Sequence, residues 1–261
     1  LCGLVPTLHA YPMFAVKPSM VPPGIKDFDK PSRIILDPAN RHHDQLVLFL
    51  TGTNGVPGSR SQFALMNTIV DQGYRVVWLT YDNIPSGQKL CPQNPDPDCA
   101  EAFRRMRVYG TAKAPPPITN PRAEAIVSRF TALLKYLAQT RPEEDWGRYL
   151  DGDQIDWKRI VVAGHSQGAG MAALIAKDHE TRRVVLFSSP WDPTVQHTPA
   201  PWLYKPSATP MDRWYAEYNV HEETRKLIVN AYGALAIPTD HILAFDLDLP
   251  EKMRASNNNP Y

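Results

Sequence analysis

The sequence predicts one α/β domain built on a mostly parallel central sheet with helices on both faces, and three observations carry that expectation. From residue 45 onward, apolar runs of strand length alternate with stretches of helical periodicity. The runs near 45–50, 75–81 and 160–163 are continuously apolar, as strands covered on both faces are, where half-exposed strands would alternate. A length of 261 residues suffices for a single large core. The expected domain spans 1–261, with 1–30 as an N-terminal extension and 82–120 as an irregular rim or lid insertion.

Taken in order, residues 11–17 form a candidate edge strand within the proline-rich extension, and 33–36 a second short strand stopped by Asp37-Pro38. Residues 45–50 are a central strand that runs into Thr51-Gly52-Thr53-Asn54-Gly55, a glycine-rich turn. Residues 62–72 predict a helix, with Phe63, Met66, Ile69 and Val70 at helical spacing and Gly73 to end it. Residues 75–81 are the next buried strand.

The stretch 82–120 carries two cysteines, the run Arg104-Arg105-Met106-Arg107 and Pro115-Pro116-Pro117. Segments of this length without regular structure are functional or disordered, and this one is expected over the active edge of the sheet. The arginine run reads as a solvated helix face, with a patch that attracts an anionic substrate as the alternative. Residues 123–139 predict an amphipathic helix with Ile126, Val127, Phe130, Leu133, Leu134 and Leu137 on one stripe. A strand at 159–163 and a helix at 169–177 follow. Residues 182–192 read as a strand ending in a polar turn, and 214–220 as a strand ending at His221-Glu222-Glu223. A helix at 224–235 and a last strand at 241–249 complete the series.

Bulk properties exclude several function classes. Net charge is +1, from 28 basic and 27 acidic residues, so nothing points to nucleic acid or another polyanion as partner. No run of 18 apolar residues is present, so no transmembrane segment is expected. There is no basic stretch leading into an apolar one, so an export signal is expected to be already absent from this chain. The sequence shows no internal repeat.

Between the strand at 159–163 and the helix at 169–177 lies Gly164-His165-Ser166-Gln167-Gly168. Gly-x-Ser-x-Gly in that context is a nucleophile elbow, a cramped turn that lifts the serine hydroxyl above the sheet beside a helix N-terminus. The two glycines remove side chains that would collide there. The free N–H groups of the helix start, that of Gln167 first, are placed to hold an oxyanion.

Of three cysteines, Cys91 and Cys99 flank Pro-Gln-Asn-Pro-Asp-Pro-Asp. A disulfide there would close a small loop and contribute about 2–3 kcal/mol. Two unrelated thiols are the alternative; a metal pair lacks a matching Cys/His neighbour. A disulfide implies an oxidising compartment, hence a secreted or periplasmic protein. Cys2 is left over and its state is open.

These features together resemble the α/β-hydrolase fold. More narrowly they resemble exported microbial α/β-hydrolase-like proteins with a Gly-Thr-Asn-Gly turn, a cysteine-flanked loop, Gly-His-Ser-Gln-Gly-x-Gly at the elbow and a Pro-x-Asp turn. Here those are residues 52–55, 91–99, 164–170 and 189–192. The resemblance implies a serine nucleophile, no metal or organic cofactor, and an oxyanion hole made by the N–H groups of Thr53 (Asn54 second) and Gln167.

It also implies a carboxylate and then a histidine later in the chain. Glu223 or its neighbour Glu222 leads for the acid, with Asp192 as the rival; capping of a helix and bracing of a turn are the plainer roles for these groups. For the base, His165 points away from the serine in elbow geometry, and His179 and His197 precede the favoured acid. His241 remains, although it opens a strand and so falls at the wrong end of a parallel sheet. Either residues 238–240 form a catalytic loop with His241 as base, or the histidine lies beyond Tyr261.

The expected function is cleavage of carboxylic esters, small or polymeric, through an acyl-enzyme, with amidase or peptidase action by the same apparatus as a variant. The competing class is a non-catalytic ligand-binding protein. In that reading Trp191, Trp202, Tyr204, Trp214 and Tyr215 line a groove; core and rim packing is the plainer use of those aromatics.

Overall fold

Ten strands and six α-helices follow one another as β1 (Met13–Val16), β2 (Ser32–Ile35), β3 (Leu46–Leu50), α1 (Phe63–Asp71), β4 (Arg75–Leu79), α2 (Gly87–Leu90), α3 (Cys99–Tyr109), α4 (Ile126–Thr140), β5 (Leu150–Asp151), β6 (Gln154–Ile155), β7 (Ile160–His165), α5 (Gln167–Asp178), β8 (Arg183–Phe187), β9 (Trp214–Asn219), α6 (Arg225–Ala234) and β10 (Ile242–Phe245). They are those of a computed structural model, which describes residues 11–22, 24–25, 27–39, 44–113 and 116–246. Cys2 and residues 247–249 of the expected last strand lie outside the described residues.

Eight strands form the main sheet in the order β1-β2-β4-β3-β7-β8-β9-β10, and β5 and β6 make a separate small hairpin. β2 runs antiparallel to both neighbours, and every pair from β4 to β10 is parallel. Parallel neighbours put all their carboxyl ends on one edge. The turns after β3, β7, β8 and β9 therefore meet there, as ligand-binding turns of α/β sheets do.

The alternation of side chains along each strand divides the core in two. Leu46, Leu48, Leu50, Val162, Val184 and Leu186 face α3 to α6, and the α4 residues Ile126, Phe130, Leu133, Leu134 and Leu137 are buried against that cluster. Val47, Phe49, Val76, Trp78, Val161 and Ala163 face the other way and pack on Met66 and Val70 of α1. Full burial of β3 and β4 explains why both read as continuous apolar runs.

The insertion at 82–120 is not irregular. It contains α2 and the eleven-residue α3, joined by the Cys91–Cys99 disulfide, whose sulfurs lie between the C-cap of α2 and the first residue of α3. α3 ends at Gly110 in the left-handed conformation (φ 72°), where a Cβ would sit 2.4 Å from Arg122 Cα. Its helical stripe was hidden because two of the buried positions are arginines. Arg104 is 1% exposed and Arg107 2%, so the solvated-face expectation is corrected for both. Arg107 pairs with Asp82 and donates to Ile84 O, while Arg105 alone bridges outward to Glu101 and Asp178. Of the aromatic stretch, Trp202 and Trp214 are core, Trp191 and Tyr215 are half-buried, and only Tyr204 is well exposed.

Candidate active site

β7 delivers Ser166 to the carboxyl edge. Its backbone has φ 54° and ψ −127°, a conformation a non-glycine residue adopts only under constraint from its surroundings. The constraint is visible in the flanking glycines. A Cβ on Gly164 would lie 2.4 Å from the Gly168 carbonyl carbon, and one on Gly168 would lie 2.1 Å from Leu50 O. The turn after β3 closes on the serine from the other side: a Cβ on Gly52 would lie 2.8 Å from Ser166 Cβ. The Gly52–Gly55 turn is therefore in contact with Ser166, with Asn54 at φ 60° and Gly55 N–H donating to Gly52 O. Gln167 N–H, in the first turn of α5, has no intrahelical acceptor.

Two buried carboxylates lie near this edge, and their surroundings differ. Asp192 is 5% exposed and takes both forks of Arg104, Nε to Oδ2 and Nη2 to Oδ1, each at 2.6 Å; Trp202 Nε1 donates to Oδ2 at 2.9 Å. Arg104 also donates to Gln167 O at 3.3 Å, and its guanidinium fills the space that a Cβ on Gly170 would need. Through Arg104, Asp192 ties α3 to α5.

Glu222 is 2% exposed. Its Oε1 accepts from Ser188 Oγ at 2.7 Å and from Asn219 N–H at 2.8 Å, while Oε2 is buried and has no partner among the described residues. Burial pushes the carboxyl above its usual range, against the opposing pull of the Asn219 and Ser188 hydrogen bonds. Ser188 follows β8, which lies next to β7, and shares the positive backbone angle of Ser166 at φ 54°. The next residue, Glu223, is exposed. Of the two adjacent glutamates, Glu222 is the one turned toward the β8 end and the elbow.

The histidines are distributed otherwise. His241 immediately precedes β10, donating from Nδ1 to Trp214 O (2.9 Å) and stacking on Tyr215 at 4.3 Å. Trp214 is the first residue of β9, so His241 stands at the amino edge, a strand length (roughly 15 Å at 3.3 Å per residue) from the serine edge. The structure does not bring His241 to Ser166, and residues 238–240 form no catalytic loop there. His221 is at the carboxyl edge but turns away from Glu222, its Nε2 2.8 Å from Asp246 Oδ1 beyond β10. His165 is half-buried against the Gly52 turn, and desolvation lowers its pKa to about 4.

Asn83 was not foreseen in the sequence. It joins the Gly52 turn to Gln167. Among the described residues no three His, Cys, Asp or Glu side chains group to hold a metal ion, and no helix is long and apolar enough to cross a membrane.

No protein-family model matches the chain, and no curated protein matches it. Solved structures similar to it include a dienelactone hydrolase from Anabaena variabilis, with 14% identity, 90% of this chain and 86% of that one covered, and a TM-score of 0.48. An α/β serine hydrolase without lid from Xanthomonas campestris gives 13%, 92% and 85%, and 0.46. A bacterial heroin esterase gives 14%, 93% and 77%, and 0.45. The strand order, the antiparallel β2 in an otherwise parallel run and the strained serine between β7 and α5 give the chain the architecture of the α/β-hydrolase fold.

Proposed function

We propose that the protein is a serine hydrolase that cleaves carboxylic esters through an acyl-enzyme. The observation that carries this reading is the strained Ser166 held in contact with the Gly52–Gly55 turn at the carboxyl edge. In the reaction Ser166 Oγ attacks the ester carbonyl and loses its proton to a base. The Thr53 and Gln167 N–H groups hold the tetrahedral oxyanion, and collapse expels the alcohol, which takes the proton. Water then repeats the sequence on the acyl group. Glu222 is the carboxylate that orients the base through Oε2, in place of Glu223 or Asp192. Amides are within reach of the same apparatus. The Cys91–Cys99 disulfide supports an exported, oxidising location.

None of the five described histidines meets Glu222 Oε2, and that observation favours a second reading, a hydrolase-fold binding protein that keeps the pocket and lacks the base. A fluorophosphonate probe separates the two. Labelling of the 261-residue chain at Ser166, located by mass spectrometry and abolished in Ser166→Ala, is expected for the hydrolase, and added imidazole is expected to accelerate it by supplying a base. A chain that stays unlabelled with and without imidazole, yet binds ester ligands, is the binder.

A further inference from the structure

Oxyanion donors on two separate elements are useful only if their relative position is fixed, because a displacement of about 1 Å costs on the order of 100-fold in rate. Here one donor lies in the turn after β3 and the other at the start of α5. We propose that Asn83 is the positioning residue that locks these two donors together; the proposal rests on the serine-hydrolase reading.

Asn83 follows β4, is 1% exposed and reaches across to the Gly52 turn. Its Nδ2 faces three oxygens: Gly55 O at 2.8 Å, Gly52 O at 2.9 Å and Thr51 Oγ1 at 3.3 Å. Two of these are carbonyls that can only accept, so the amide must present its NH₂ group to them. The two shorter contacts use its two hydrogens and tie both ends of the turn to one side chain. This orientation leaves Asn83 Oδ1 buried with no partner among the described residues, a cost that the turn contacts offset.

The second arm comes from the backbone of the same residue. Asn83 O accepts from Gln167 Nε2 at 2.8 Å, and Gln167 Oε1 accepts from Gly87 N–H at 3.1 Å. The side chain of the residue that follows the nucleophile is thus held at both of its polar atoms by residues 83 and 87. Tyr81 Oη adds a bond to Thr51 O at 2.6 Å. Without the Asn83 side chain the turn keeps its internal bonds, Gly55 N–H to Gly52 O and Thr51 Oγ1 to Gly55 O at 3.3 Å, and the single Tyr81 bond at Thr51 O.

The test is steady-state ester hydrolysis by the wild type, Asn83→Ala and Asn83→Asp, together with binding of phenylboronic acid, whose serine adduct is tetrahedral and anionic. Asn83→Asp keeps the volume and turns a carboxylate oxygen toward the two carbonyls, so it remains informative if the alanine variant folds poorly. The expected result is a kcat lowered 10- to 100-fold, a KM within about threefold, and boronate affinity weakened in proportion to kcat/KM. A kcat within twofold of wild type in both folded variants overturns the proposal and leaves the hydrolase reading intact. So does a raised KM with kcat unchanged, which would make Asn83 a ground-state contact. If the wild type itself neither turns over nor labels at Ser166, the hydrolase reading fails and the proposal falls with it.

Discussion

Asp192 and Glu222 are both carboxylates nearly sealed from solvent beside the serine edge, yet they differ in how many of their oxygens are used. Asp192 has each oxygen committed, to a bidentate Arg104 and to Trp202. Glu222 has one oxygen doubly bonded and the other empty among the described residues. Asp192 thus spends three of its roughly four acceptor sites on fixed partners, whereas Glu222 keeps one whole oxygen unpaired among the described residues. Buried polar atoms are almost always paired, so an unpaired one in this place marks where a further group belongs. On the proposed reading, the free oxygen favours Glu222 over Asp192 as the orienting acid, a distinction that position in the chain does not make.

The largest expected effect follows from that difference. Glu222→Gln keeps the acceptor for Ser188 and Asn219 but loses the charge that supports an imidazolium, so ester turnover should fall by about 10³–10⁴ with thermal stability unchanged or raised. Asp192→Asn, at the same burial, should alter turnover far less. Equal loss of turnover in the two, measured at matched folded fractions, would erase the distinction.

Stability should respond in the reverse sense. Asp192→Ala strands the Arg104 guanidinium without its counter-charge inside the protein, which costs roughly 3–5 kcal/mol. For a domain of this size that is about 10 °C in Tm or somewhat more. Replacing the pair together, Arg104→Met with Asp192→Leu, should recover most of the loss, because the single variant is penalised chiefly for the orphaned charge. Calorimetry of the three proteins decides it; a single variant as stable as wild type would mean that the pair anchors nothing.

The same contrast explains what was legible in the sequence. Strand and helix alternation, the elbow and the cysteine loop are local patterns, and the sheet, Ser166 and the Cys91–Cys99 bridge follow from them. The choice among Asp192, Glu222 and Glu223 depends on burial and on partners far away in sequence, Arg104 being 88 residues from Asp192. A run of arginines reads as surface, so the buried pair was invisible and Asp192 stayed a candidate. Glu222 and Glu223 are neighbours of one type, and only the direction of the turn after β9 sends one inward. His241 was the last histidine in the chain but opens its strand, and direction along a parallel strand outweighed order in the sequence. Asn83 left no signal at all, since a single asparagine after a strand is an ordinary turn residue.

Titration gives the smallest but cleanest separation. Glu217, on β9 beside the Phe187 position of β8, has its carboxyl raised from 4.5 to about 7 by burial, with a contribution from the charge of Glu222. The folded protein therefore holds protons that the unfolded chain releases between about pH 4.5 and 7. The stability this lends is complete below that window and is lost as pH rises through it, by up to about 3 kcal/mol for Glu217. His165 works in the opposite direction: its pKa near 4 makes the folded state favour the neutral ring, and stability rises between about pH 4 and 6.5. The informative quantity is thus the Tm difference between wild type and Glu217→Gln. That difference should widen against the wild type from pH 5 to pH 8, because only the wild type must bury a charge there. In a Glu222→Gln background the widening should shrink, since the neighbouring negative charge is gone. A difference independent of pH would mean that Glu217 ionises as freely as in water and that the β9 end of the site is wetter than its burial implies.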